Sequence, residues 1–200
     1  MSMKKPDSEK TSYLKSGVLN AWKQRIIWLL IMMFSATFTQ IIIAGFEEKL
    51  RTVVILTAFI PMLMGTGGNC GSQSSVSVIR SLALKEIGVQ DVKEVLWKEF
   101  RIALLSGSTL GIVCFFKILC LDRFLLHAPE IDVPIALTVS LSLTVTVLIA
   151  KFIGCVLPLL SHKLGFDPAV TSAPFITTLV DALALLTYFC IASLFLAERF

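Results

Sequence analysis

Long apolar runs broken by short charged segments recur five times along the chain, at residues 26–46, 52–79, 102–121, 133–161 and 169–197. Each reaches or exceeds the roughly 20 residues that a helix needs to cross a bilayer core. The polar positions between them predict the connections. Glu47-Glu-Lys-Leu-Arg51 reads as a tight loop, residues 80–101 as a hydrophilic loop, 122–132 as an acidic loop and 162–168 as a short link into the last run. Ahead of the first run, Leu14, Val18 and Trp22 recur every four residues against Lys15, Asn20 and Lys23, which suits a short amphipathic helix on the cytoplasmic membrane surface. The composition of residues 1–12 fits a solvated, disordered tail equally well. Val92, Val95 and Leu96 predict a second short interfacial helix inside the 80–101 loop.

The pattern therefore gives an all-α membrane protein with five transmembrane helices. Composition agrees: 200 residues are 56% hydrophobic and 16% charged, with a mean hydropathy of +0.83. The net charge of +4 resides in flanks and loops, where it sets orientation, so nucleic acid is not an expected partner. With the N-terminus in the cytoplasm, the segments 1–25, 80–101 and 162–168 place twelve basic residues inside, against four outside (Lys49, Arg51, Arg123, Arg199). Cytoplasmic loops carry the lysine and arginine excess, so this orientation is predicted, with the C-terminus outside. The first apolar run begins only at Ile26 and lacks a small-residue cleavage site, so no signal peptide is expected.

Five cysteines without a C-x-x-C spacing read as small packing residues, and His127 and His162 fall in separate loops without a zinc spacing. No nucleophile–base pair stands out, so an enzyme is not expected. Ala103, Gly107 and Gly111 form a small-xxx-small face for close helix packing, and Lys117 is placed to snorkel outward. Thr138, Ser142 and Thr146 make a hydroxyl stripe that reads as helix-packing glue. The first run carries only neutral polar interruptions, Ser35, Thr37, Thr39 and Gln40.

Two stretches depart from ordinary membrane helix. After Pro61, Gly65-Thr-Gly-Gly-Asn-Cys-Gly-Ser-Gln-Ser-Ser75 sets four glycines within seven residues among clustered polar side chains, a composition that permits close backbone approach and unwinding. Polar, irregular backbone at membrane depth persists only where protein buries it or water reaches it; the alternative is that the glycines merely pack helices. In the fifth run Asp181 is the lone charge among 29 residues, 169–197. A mid-bilayer acid costs about 2.5–3.5 kcal/mol on insertion scales and characteristically faces an ion path. Pro174, Thr177, Thr178 and Asp181 share one helical face, and Pro174 leaves the Val170 carbonyl without its helical donor, so the face offers oxygen ligands to a cation. The structural alternative is an ion pair between Asp181 and Lys151, although Lys151 is better placed to snorkel to the cytoplasmic interface.

Pro61-Met-Leu-Met-Gly-Thr-Gly-Gly-Asn-Cys-Gly-Ser-Gln-Ser, continuing into Val78-Ile-Arg-Ser-Leu-Ala83, resembles the second transmembrane helix of the MgtE magnesium channels, whose relatives include the eukaryotic solute-carrier family 41. Asp167-Pro168 followed by Ser172-Ala-Pro-Phe-Ile-Thr-Thr-Leu-Val-Asp181 resembles their fifth. The resemblance covers roughly residues 20–200, with two motifs in the correct order. It implies a cytoplasmic segment at 1–25, an MgtE-like five-helix domain at 26–200, and a homodimer in the plasma (inner) membrane whose pore lies on the two-fold axis between helices two and five of both subunits. It further implies Asp181 as the recognition residue for largely hydrated Mg²⁺, the transported ion. Gly65, Gly68, Asn69 and Ser72 fall where helix two approaches the pore, Thr177 one turn before the aspartate and Ala173 two turns before. Some relatives carry amides where this chain has Ala173 and Ser72, which implies a thinner outer ring of contacts to the ion's waters. The acidic and CBS domains that precede the membrane part in typical relatives are not expected here, which leaves room for a separate cytosolic regulator. A Na⁺- or H⁺-coupled exchanger and a membrane subunit dependent on a separate sensor remain the alternative readings.

Overall fold

The computed structural model describes residues 17–125 and 127–199, with backbone alone for 24, 89 and 169–174. All regular structure among them is helical. In chain order it comprises α1 (Val18–Gly45), α2 (Glu47–Thr52), a 3₁₀ segment (Val54–Phe59), α3 (Ile60–Ala83), a 3₁₀ turn (Val89–Asp91), α4 (Val92–Lys117), a π turn (Ile118–Asp122), α5 (Arg123–Leu125), α6 (Val133–Lys163), α7 (Pro168–Phe195) and a final 3₁₀ turn (Ala197–Arg199). Five segments are long and apolar enough to cross a membrane: Val18–Gly45, Val54–Ala83, Val92–Leu125, Val133–Lys163 and Phe175–Phe195.

The five predicted spans are present, but several of their ends are not where the polarity pattern puts them. Val18 to Trp22 form the first turns of α1 rather than a separate surface helix, and the remainder of that predicted helix, residues 13–16, lies outside the described residues. Val92, Val95 and Leu96 likewise begin α4, which runs unbroken into the membrane. Charged side chains do not interrupt a helix when neither glycine nor proline intervenes, because lysine and glutamate are good helix formers. The loop at 47–51 is itself helical, with Glu47 and Glu48 at its start and an Arg51–Glu47 pair at 2.7 Å. His162 sits in the last turn of α6, not in a loop.

The largest correction concerns the glycine-rich stretch. Residues 65–75 are regular α-helix within α3, and the departure from α geometry lies just before them, at Val54–Phe59. Pro61 falls in the first turn of α3, where its missing N–H breaks no helical bond.

The core is organised around α6, which packs on α3, α4 and α7, while α3 also packs on α7. Ile135, Val139, Val147 and Ala150 of α6 are fully buried with Ile176, Val180 and Leu185 of α7. On the α4 side, Ala103, Gly107 and Gly111 are buried as the small-residue pattern requires. A Cβ at Gly107 would lie 3.2 Å from the Thr144 carbonyl, and Thr144 Oγ1 donates to the Gly107 carbonyl at 3.2 Å. The predicted hydroxyl stripe behaves differently: Thr138 and Ser142 are buried but donate to Pro134 and Thr138 carbonyls of their own helix. Thr144, outside the stripe, supplies the bond between helices.

Helix α1 packs chiefly on α7. Trp28 meets Phe175 edge-on near one end, with ring centroids 6.3 Å apart, and Phe46 stacks on Phe189 at 4.6 Å near the other. At that second end Lys49 Nζ donates to Ser193 Oγ at 2.8 Å, and the buried Tyr188 hydroxyl donates to the Leu56 carbonyl at 2.9 Å.

Asp132 caps α6, its Oδ1 accepting from the Ile135 amide at 3.2 Å, and its Oδ2 pairs with Arg199. Burial raises the Asp132 pKa, but the Arg199 and Ile135 bonds outweigh it and hold the carboxyl below the usual aspartate value. A depressed pKa stabilises the fold above the unfolded-state value, and that contribution is lost as pH falls through the folded-state value. Asp132→Ala is expected to cost about 1 kcal/mol at neutral pH, mostly through the lost cap, since an exposed ion pair adds little. Unfolding in detergent at pH 7 and then at steps downward from about pH 4 measures both parts. The difference between wild type and variant should begin to shrink below the unfolded-state aspartate value and lose its charge-dependent share once pH falls through the lower folded-state value.

Candidate functional site

The backbone of α3 lies close to those of α6 and α7 but farther from those of its other two neighbours, α1 and α4. A cleft therefore opens on each of its flanks, and each cleft has an ionisable side chain on its wall.

The cleft between α1 and α3 has a volume of about 300 Å³ and is lined by Met32, Ala36, Thr39 and Gln40 of α1, Met64 of α3, and Thr177, Thr178 and Asp181 of α7. Asp181 is half-buried, close to the middle of α7. Among the described residues it forms no ion pair. No group of three or more His, Cys, Asp or Glu side chains converges among them either, so the donors around Asp181 are neutral hydroxyls and an amide.

The cleft between α3 and α4 has a volume of about 570 Å³, with Thr66, Asn69, Cys70 and Gln73 on one wall, Ser106 and Thr109 on the other, and Lys151 of α6. Lys151 is only 5% exposed, so it does not snorkel, and it is not the partner of Asp181. Its Nζ donates to Ser74 Oγ at 3.4 Å, and Ser74 Oγ donates to Glu99 Oε2 at 2.7 Å. A hydroxyl thus joins an ammonium to a carboxylate across three helices, which suits a charge that could not be buried alone. Lys117, by contrast, is partly exposed and pairs with Asp122 at 2.8 Å.

The four glycines of α3 divide into two pairs. Gly67 and Gly71 face the bundle: a Cβ at Gly67 would lie 2.8 Å from Thr146 Cγ2 and 2.9 Å from Val180 Cγ1, and one at Gly71 would lie 2.9 Å from Ile176 Cγ2 and 3.1 Å from the Ala150 carbonyl. Gly65 and Gly68 face away, and an added Cβ there meets nothing within 4 Å. With Asn69 and Ser72, both exposed, they form one strip on the helix, between the two clefts. Helix packing explains the first pair and leaves the second unexplained.

Of the residues singled out in the sequence, the structure brings Asp181 and Thr177 to one cleft. Gly65, Gly68, Asn69 and Ser72 lie on the neighbouring strip, where Asn69 also borders the Lys151 cleft. Ala173 belongs to α7, but its side chain is outside the described residues. Sequence reading left Thr39 and Gln40 without a role; their signal was the Met32, Ala36, Thr39, Gln40 spacing, which puts all four on one face of α1.

The family model for MgtE, described as a divalent cation transporter, matches residues 60–191. The magnesium transporter MgtE of Thermus thermophilus is 36% identical over 184 residues, covering 92% of this chain and 39% of that protein. Proteins of the same name from Bacillus subtilis and Enterococcus faecalis are 35% and 32% identical, covering 86% and 89% of this chain and 37% and 38% of their own lengths. The chain spans about two fifths of the length of the curated relatives it matches.

Proposed function

Given that this chain belongs to the MgtE family of divalent cation transporters, we propose that it passes largely hydrated Mg²⁺ across the plasma membrane, with Asp181 as the central recognition residue. The observation that carries this reading is a carboxylate at mid-membrane on the wall of a cleft it shares with Thr39, Gln40, Thr177 and Thr178, with no basic side chain paired to it among the described residues. Magnesium demands near-octahedral oxygen coordination and dehydrates reluctantly. One carboxylate with neutral hydroxyls cannot replace six waters, but it can accept hydrogen bonds from them. Six waters occupy roughly 180 Å³ at about 30 Å³ each, within the volume of the Asp181 cleft. Held through its water shell, the ion leaves as readily as it enters, which conduction requires.

The pore forms between two copies of the chain, with α3 and α7 of each contributing. The Gly65, Gly68, Asn69, Ser72 strip supports this arrangement, because it is polar, at membrane depth and uncovered in one subunit. Entry is passive and inward, favoured by about 2.3 kcal/mol per charge for each 100 mV of membrane potential.

Reconstitution of the 200-residue chain in liposomes with an enclosed Mg²⁺ indicator tests the reading. Uptake is expected to rise with an inside-negative potential and to be indifferent to Na⁺ and proton gradients. An absence of Mg²⁺ flux would overturn the proposal, and a strict requirement for either gradient would replace passive conduction with coupled exchange.

A further inference from the structure

We infer that α1 is a third wall of the cation site, with Thr39 and Gln40 contributing to recognition of the hydrated ion beside Asp181; the inference rests on the reading of Asp181 given above. Three observations carry it. First, Thr39 and Gln40 line the same cleft of about 300 Å³ as Asp181, Thr177 and Thr178, on the side opposite α7. Second, α1 is apolar around most of its circumference, with Ile31, Phe34, Phe38 and Ile41 exposed. A glutamine facing hydrocarbon would leave four hydrogen-bonding positions unsatisfied. Gln40 lines this cleft, is exposed in the single subunit and forms no side-chain hydrogen bond among the described residues, so its amide is available to the contents of the cleft. Third, the chemistry suits the occupant. Waters bound to a divalent cation are strong hydrogen-bond donors, and a site for them needs acceptors. Asp181 supplies charge, and the Gln40 carbonyl and Thr39 hydroxyl supply neutral acceptors from a different direction. A second carboxylate on α1 would bind the ion more tightly and slow its release.

The placement also assigns a discriminating role. A carboxylate and two threonines on one helix can bind waters on one side of an ion; acceptors on the facing helix fix the span between walls. That span selects for an intact shell. Calcium takes six to eight oxygen ligands in flexible geometry at 2.3–2.6 Å, so it conforms less well to such a frame.

The test is ion-competition uptake in liposomes by the full chain and three variants, Gln40→Leu, Thr39→Val and Gln40→Glu, with dimer content checked by size exclusion. Gln40→Leu is expected to raise the half-saturating Mg²⁺ concentration about fivefold, the loss of one hydrogen bond to a charged group's shell, with little change in maximal rate, and to weaken Mg²⁺ preference over Ca²⁺. Thr39→Val keeps the shape of the side chain and is expected to act in the same direction, so it carries the test should Gln40→Leu fail to assemble. Gln40→Glu is expected to lower both the half-saturating concentration and the maximal rate. Wild-type half-saturation and wild-type Mg²⁺/Ca²⁺ preference in both Gln40→Leu and Thr39→Val would overturn the inference while leaving the Asp181 reading intact. Asp181→Ala, run in parallel, separates the two: full uptake by that variant would refute the underlying site instead.

Discussion

Asp181→Ala is expected to reduce Mg²⁺ uptake by about a hundredfold while leaving the subunit at least as stable as wild type. The first effect follows from losing an ionised acceptor for the ion's bound waters: two hydrogen bonds to a charged group, at about 1.5 kcal/mol or more each, correspond to that factor. The second follows from removing an acid from the middle of a helix that otherwise carries no charge, where insertion scales put the cost of its presence at about 2.5–3.5 kcal/mol. A residue kept for structure would behave in the opposite way, since removal of one partner from a buried pair is destabilising. Liposome uptake and thermal unfolding in detergent, measured on the same preparation, check both halves. Asp181→Asn refines the result: it keeps the size and a hydrogen-bonding oxygen but lacks the charge, so its uptake should also fall. Uptake by Asp181→Ala at the wild-type rate would remove the aspartate from the site.

Gly154→Ala is expected to give the largest loss of stability among the glycine substitutions. A Cβ at this position would collide with the carbonyl of Gly71, at the closest approach of α6 to α3. The obstacle is backbone on a facing helix, and it cannot rotate aside as a side-chain tip can. The two helices must separate, which disturbs the packing of α6 that organises the bundle. Overpacked cores lose about 1–3 kcal/mol, and a backbone-to-backbone clash belongs at the upper end of that range or beyond. Gly65→Ala and Gly68→Ala provide the contrast, because no atom lies within 4 Å of either added Cβ in the subunit. These variants should be at least as stable as wild type, since alanine is the better helix former, yet transport less on the proposal that their strip faces the passage between subunits. Equal destabilisation by all three substitutions would contradict the placement of Gly154 at a tight helix contact and of Gly65 and Gly68 on an open face.

The span count and the prominence of Asp181 were legible because both depend on properties local to the sequence. Run length against bilayer thickness predicts a crossing, and a lone acid in 29 residues is conspicuous in any arrangement. The helix ends at Val18 and Val92 were misplaced because a change in polarity marks the membrane surface, not the end of a helix. The unwinding that glycine permits at residues 65–75 does not occur, for another reason. Gly67 and Gly71 are used to bring α3 against α6 and α7, and regular helix keeps their backbone hydrogen bonds satisfied at membrane depth. The position of Lys151 toward one end of its apolar run favours snorkelling, yet the side chain is buried. Only the Ser74 hydroxyl and Glu99, contributed by two other helices, show that its charge is met inside. The spacing of Thr39 and Gln40 puts them on one face of α1, but only the structure shows that this face borders the Asp181 cleft.

The hydroxyl bridge from Lys151 to Glu99 has an electrical consequence for the whole bundle. An amine and a carboxylate fixed on either side of one serine form a dipole, whose influence fades with the square of distance. Asp181, lacking such an opposite among the described residues, acts as a monopole and dominates farther out. The cleft beside α4 is therefore electrically quiet, whereas the one beside α1 carries an uncompensated carboxylate, which is what the proposed cation path requires.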